Sequence, residues 1–150
     1  ANSELSDAVL QGFEESLRRT DITPVEKIGH AMAEKKEFSE GYAILAGLDL
    51  MASKSMNEIA SLDSGLIESA VAFNFSNKTN HYNSWFEYLL LNHKNKVLPA
   101  LTKYWVAMLK NNATYIPGRN LVFSDTADIE VVKYTVLSLL EHWRNCKAKT

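Results

Sequence analysis

The sequence predicts an all-α domain of about eight helices, on three observations. Apolar residues recur at the i, i+3, i+4, i+7 spacing of helices that bury one stripe. The clearest stripe is Val97, Leu98, Leu101, Tyr104, Trp105, Met108 and Leu109, with Lys96, Lys103 and Lys110 on the opposite side. Residues that cap helices stand ahead of several such stripes. No segment alternates like a half-buried strand for more than a few residues, Asn120-Leu121-Val122-Phe123 being the one short β-like run.

Taken in order, Ser3 is placed to cap a first helix from Glu4 to about Arg18, with Leu5, Val9, Phe13 and Leu17 along one face. Thr23-Pro24-Val25-Glu26 reads as a capping box with proline at the first helical position. It opens a helix whose stripe is Val25, Ile28 and Met32, slightly weakened by Gly29. A charged break, residues 34–37, leads into a third helix from Phe38 to about Ser53. That helix is apolar on most sides from Tyr42 to Met51 and is expected to be buried. Ser55-Met56-Asn57-Glu58 is a second capping box, opening a short helix that ends near Leu62. Asp63-Ser64-Gly65 punctuates the chain, and Leu66 to Phe75 forms a fifth helix. A polar loop follows over residues 77–83, and Ser84-Trp85-Phe86-Glu87 starts a helix ending at His93. The long helix, Lys96–Asn111, tolerates Pro99 near its first turn. Ile116-Pro117-Gly118 marks a turn. Ser124 or Asp125 is placed to cap the last helix, whose stripe of Ile129, Val132, Val136, Leu139, Leu140 and Trp143 is expected to pack on Lys96–Asn111.

The chain of 150 residues is expected to be one domain, long enough to bury roughly two-thirds of its unfolded surface. Its formal net charge of -2 speaks against a protein that holds nucleic acid through phosphate contacts. No apolar run approaches the roughly 20 residues needed to cross a bilayer, and no secretory leader is expected. A single cysteine, Cys146, suits a reducing compartment, so the expected location is cytoplasmic. The first residue is Ala1 rather than Met, and the chain is expected to be a piece excised from a longer protein. Three Asn-x-Ser/Thr sequons, at Asn74, Asn77 and Asn112, carry little weight without such a leader.

Few residues point to chemistry. His93, at the end of one helix and ahead of a long one, invites a globin-like ligand-binding reading with His93 as the proximal ligand. The preceding helix offers only Asn74 as a polar companion, where a haem site needs a shaped distal pocket. His142 and Cys146 lie four apart on one helical face, two ligands where a zinc site takes four or three plus water. Nothing in the sequence sets His30, His81 or His93 beside that thiol. Asp49 stands on the otherwise apolar third helix, and a carboxylate buried there would mark a small enzyme pocket. There is no phosphate-cradling glycine motif, no CxxC, no HExxH and no GxSxG. No haem, zinc or other cofactor is expected.

An internal echo adds a repeating plan. Tyr42-Ala-Ile-Leu-Ala is similar to Tyr88-Leu-Leu-Leu-Asn, and Leu90-Leu-Asn-His93 to Leu139-Leu-Glu-His142, at offsets near the period of HEAT and armadillo repeats. Ala70-Val71-Ala72-Phe73, Trp85-Phe86, Pro99-Ala100-Leu101 with Tyr104-Trp105, Ile116-Pro117-Gly118 and Leu139-Leu140-Glu141-His142-Trp143 carry a resemblance. The stretch from about Tyr42 to Trp143 resembles segments of large, uncharacterised bacterial proteins built on HEAT-like helical arrays. The resemblance implies a right-handed α-solenoid arrangement and a non-catalytic scaffold that stacks on further helices or presents a surface to a protein partner. It implies no catalytic residues. The last helix carries Val131, Tyr134 and Leu137 beyond its stripe, an apolar surface wide enough for neighbours on two sides. These residues are expected to contribute an exposed apolar patch where further repeats or a second copy would dock.

Overall fold

A computed structural model describes residues 2–77 and 83–148; most of the polar stretch read as a loop, with His81, lies outside them. The described residues form eight α-helices and one 3-10 turn, with no strand. In order these are α1 (Asn2–Ser16), α2 (Val25–Ala33), α3 (Ser39–Ser55), the 3-10 turn (Met56–Ser61), α4 (Ser64–Asn77) and α5 (Ser84–Asn92). Then come α6 (Lys94–Lys110), α7 (Asn120–Phe123) and α8 (Ile129–Lys147). The short β-like run at Asn120 is therefore one turn of helix.

The molecule is built around α4. Leu66, Ile67 and every residue from Ser69 to Asn77 are buried, including the sequon residues Asn74 and Asn77. A helix apolar on all sides has to be surrounded, and α2, α3 and α6 pack around this one. The third helix, expected in that role, buries only the face with Gly41, Ile44, Leu45, Gly47 and Leu48. Helix α6 contributes the stripe Val97, Leu98, Leu101, Tyr104, Trp105 and Met108 to the core, while Leu109 is left exposed. Pro99 falls at the sixth position of α6, so the Asn95 carbonyl lacks its intrahelical donor.

The most extensive helix–helix contact is between α2 and α6, which three helices separate in sequence. Gly29 makes it possible: a Cβ there would stand 2.8 Å from the Ala107 Cβ and 2.9 Å from the Tyr104 carbonyl oxygen. Inside, the ring of Phe75 meets Phe86 edge-on at 5.4 Å, and Phe86 meets Trp85 likewise at 6.0 Å. The Tyr104 hydroxyl is satisfied by Ser76 at 2.9 Å; burial pushes its pKa up and that bond only partly offsets the effect.

Several helix starts differ by a residue or two from the capping motifs. Thr23 caps nothing: its N–H donates to Glu40 at 3.1 Å and its carbonyl accepts from Ser69 at 2.8 Å. Ser55 hydrogen-bonds Asn57 and leads into the 3-10 turn without capping it. Asn83, one residue before Ser84, caps α5 by accepting from the Phe86 N–H at 3.1 Å. The Ile116-Pro117-Gly118 turn does form. Gly118 has φ of 77°, and a side chain there would collide with the Phe75 ring. The Pro117 carbonyl accepts from the Trp105 indole N–H at 2.9 Å, which ties the turn to the core.

Candidate functional site: an apolar groove along the last helix

Helix α8 is capped and ion-paired at its N-terminus. Asp128 is the cap, accepting from the N–H groups of Glu130 at 2.8 Å and Val131 at 3.4 Å. Lys94, at the start of α6, bridges Asp128 at 2.8 Å and Glu130 at 2.9 Å. The Lys94 ammonium, and then the Glu130 N–H, hold the Asp128 carboxyl below its ordinary pKa, while Lys94 is raised by the same pairs. The residues that α8 buries define its rotation.

With that rotation, Val131 and Thr135 face inward, each 1% exposed, and Val132, Ser138, Leu139 and His142 are half-buried. Val131 is thus a core residue and not part of an exposed patch. Tyr134 and Leu137 do lie on the surface, at 39% and 66% exposure. So do Ile129, Val136, Leu140 and Trp143, which the expected stripe had turned toward α6. A helix apolar on two sides has no face that composition alone selects, and in the fold the face with Val131 and Thr135 is the one turned inward.

Three adjoining depressions follow the exposed side. The first, about 270 Å³, lies between α6, α7 and α8, with Trp105, Val122 and Thr135 in its wall and Arg119 at its rim. The second, about 420 Å³, shares Leu109, Val136 and Leu139 with the first and runs on to Trp143 and Cys146. The third, about 550 Å³, shares Leu140 and Trp143 with the second and reaches Arg144 and Lys147. The groove is apolar along its floor and mainly basic at its margins: Arg119, Lys110, Arg144 and Lys147 against Glu141. Arg119 lies over the Tyr115 ring at 5.4 Å, and Lys147 over Trp143 at 4.7 Å.

The other candidates sit apart from one another. His93 ends α5 and meets Tyr88, ring to ring at 5.5 Å, with Nε2 3.4 Å from the phenol oxygen. Asp49 is exposed on α3, so it is not the buried carboxylate of an enclosed pocket. His142 Nε2 and Cys146 Sγ are 3.5 Å apart on the exposed side of α8. His30 is engaged elsewhere, by Asn111 and Glu34. Among the described residues no three His, Cys, Asp or Glu side chains cluster as a metal site, and no helix is long and apolar enough to cross a membrane. The lysines opposite the α6 stripe are also more than a solvated row. Lys96 donates to the Ala60 carbonyl at 2.6 Å and Lys103 pairs with Glu68 at 2.8 Å.

Sequence reasoning missed Leu109, Arg119 and Thr135 as site residues. Leu109 looked like core, and a lone threonine among apolar neighbours gives no signal of lining a cavity. The chain matches no protein-family model, no curated protein and no solved structure. The side chains gathered along α8 are suited to binding: apolar floor, aromatic walls and a cationic margin.

Proposed function

We propose that the chain is a non-catalytic helical scaffold whose α8 groove docks an amphipathic helix, and that the helix it takes is the free half of α1 from a second copy. The observation that carries this reading is the row of exposed apolar side chains on α8, Tyr134, Leu137, Leu140 and Trp143 among them, bordered by Arg144 and Lys147. Contiguous exposed apolar surface rimmed by charge is what docking surfaces present.

Helix α1 offers the complement. It packs on α3 only through its last turns, where Phe13 is half-buried and Ser16 and Leu17 are buried. Its first half stands clear, with Leu5, Val9 and Leu10 exposed and the acidic Glu4 and Asp7 beside them. Acidic flanks on the helix answer basic margins on the groove, which favours this pairing over like-charged alternatives. Such a contact is head-to-tail, so copies add in a chain, much as helical repeats stack. A HEAT- or armadillo-like character is proposed on the same ground: the open α8 face is what the next helical layer of an array would cover. The exposed thiol of Cys146 supports a reducing, cytoplasmic setting for this role.

Sedimentation velocity tests the pairing. The wild-type chain should form a concentration-dependent series of oligomers, and Leu5→Asp and Leu137→Asp should each be monomeric. Mixed together, the two variants should form a 1:1 dimer, because one has an intact groove and the other an intact α1. A monomeric wild type would overturn the proposal. So would a Leu5→Asp variant that still associates by itself, since that pattern belongs to a symmetric α8–α8 contact, or a mixture that stays monomeric while the wild type associates.

A further inference from the structure

We propose that His142 and Cys146 are half of a zinc site, and that a second copy of the chain supplies the other half through the same two residues. The spacing of the pair is that of two ligands on one ion. With Zn–N of about 2.0–2.1 Å and Zn–S of about 2.3 Å, neighbouring ligands of a tetrahedral zinc lie about 3.5 Å apart. The His142 Nε2 and Cys146 Sγ atoms are 3.5 Å apart. Residues four apart bring their side chains to one face of a helix, as in the helical zinc motifs.

Neither side chain is committed elsewhere. Among the described residues, the contact between them is the one hydrogen bond or ion pair that either makes. His30 and His93, by contrast, are engaged by oxygen atoms, of Asn111 and Glu34 for the first and of Tyr88 for the second. Two ligands do not hold a structural zinc, which takes four, and no third His, Cys, Asp or Glu joins the pair among the described residues. A two-fold axis through the metal completes the set, because an isologous contact repeats every residue across it. The result is Cys2His2, an established structural composition. Each thiol gives up its proton on binding, so two protons leave and two thiolates neutralise the charge of the ion. Leu109, Leu140 and Trp143 line the same depression as the pair and are exposed, so the second copy would cover apolar surface beside the metal. Lys110 lines it too, and Arg144 and Lys147 stand on the same helix. Brought against their own copies these cations repel, so this contact forms only with the metal, whereas docking of α1 needs none.

The test is sedimentation velocity of Leu5→Asp, in which α1 does not dock, under a phosphine reductant that excludes disulfides. With EDTA this variant should be monomeric. With zinc chloride it should become a dimer holding about one zinc per two chains, the count that four ligands from two copies require. Cys146 is exposed and His142 half-buried, so His142→Ala and Cys146→Ser, each added singly, should leave the helical spectrum unchanged. Both should keep the chain monomeric at the same zinc concentration. Cobalt(II) in place of zinc should give the charge-transfer absorption of a metal–thiolate bond, absent from the Cys146→Ser chain. The proposal is overturned if Leu5→Asp stays monomeric with zinc, if zinc binds each chain singly, or if a dimer survives EDTA or Cys146→Ser. The docking reading fails separately, on a wild-type chain that is monomeric in EDTA.

Discussion

Replacing Gly29 by alanine tests the α2–α6 crossing, the contact on which the core depends most. In an exposed helix, glycine to alanine favours folding by up to about 1 kcal/mol. At Gly29 the new methyl would stand 2.8 Å from the Ala107 Cβ and 2.9 Å from the Tyr104 carbonyl oxygen. Unstrained carbon pairs sit at about 3.5–4.0 Å, so α2 and α6 must part by on the order of 1 Å. Neither obstacle can rotate away, because one is a Cβ and the other is backbone. Overpacking costs about 1–3 kcal/mol, and two unyielding neighbours place Gly29 at the upper end. Subtracting the helix gain leaves a net loss of about 2 kcal/mol, or about 4–8 °C in Tm for a chain of this size.

Urea unfolding followed by far-UV circular dichroism measures this, and the midpoint should fall with the m-value unchanged. Gly12→Ala is the internal control. Nothing lies within 4 Å of a Cβ added there, so the same substitution should leave stability unchanged or raise it slightly. If Gly29→Ala stabilised the chain as an exposed glycine would, the close approach of α2 to α6 would be refuted.

Two further outcomes follow from the core and from the Lys94–Asp128 pair at the start of α8. Trp105 is 4% exposed and its indole N–H is engaged, so Trp105→Ala should cost about 3–5 kcal/mol in a denaturant titration. Lys103→Ala on the same helix removes only a surface pair with Glu68 and should stay within about 1 kcal/mol; comparable losses would show α6 to be turned differently. The Asp128 carboxyl is held below its ordinary 3.8 by Lys94 and by the Glu130 N–H. A carboxylate lowered by folding stabilises above its unfolded pKa and loses that contribution as pH falls through the lower, folded value. Asp128→Asn keeps a capping side chain without the charge, so it should flatten the fall of Tm with pH below about 4. An acid limb as steep as that of the wild type would contradict that pairing.

The helical class was legible because stripes and charges alternate at the helical period. Val97 through Met108 are buried as that pattern requires, with Lys103 opposite. The centrality of α4 was not legible: a segment apolar all round has no face, and periodicity reports faces. Exact helix starts were lost for a different reason. Thr23 and Ser55 have the right chemistry for caps, but Pro24 takes the cap position after Thr23, and the Ser55 hydroxyl is spent on Asn57. On α8 the width of the apolar surface was visible in the sequence, and Tyr134 and Leu137 are on its exposed side. Which side turns inward depends on contacts with α6, distant in sequence, where Val131 joins the core. The cavity beside Thr135 needs α6, α7 and α8 together, and no local pattern announces such a convergence.

The uniform burial of α4 has a consequence for synthesis. Two of its covering helices, α2 and α3, precede it, but α6 is complete only at Lys110, some thirty residues after Asn77. At about 5–20 residues per second, a ribosome needs about 2–6 s to add that segment. Helical domains fold in microseconds to milliseconds once complete, so the wait is set by translation. Through it, the side of α4 that belongs against α6 has only water or a chaperone to face. Nascent chains stalled with α4 outside the exit tunnel and α6 still inside should recruit hydrophobic-segment chaperones. Chains stalled after α6 has emerged should release them, and equal recruitment at both lengths would count against α6 as the missing cover.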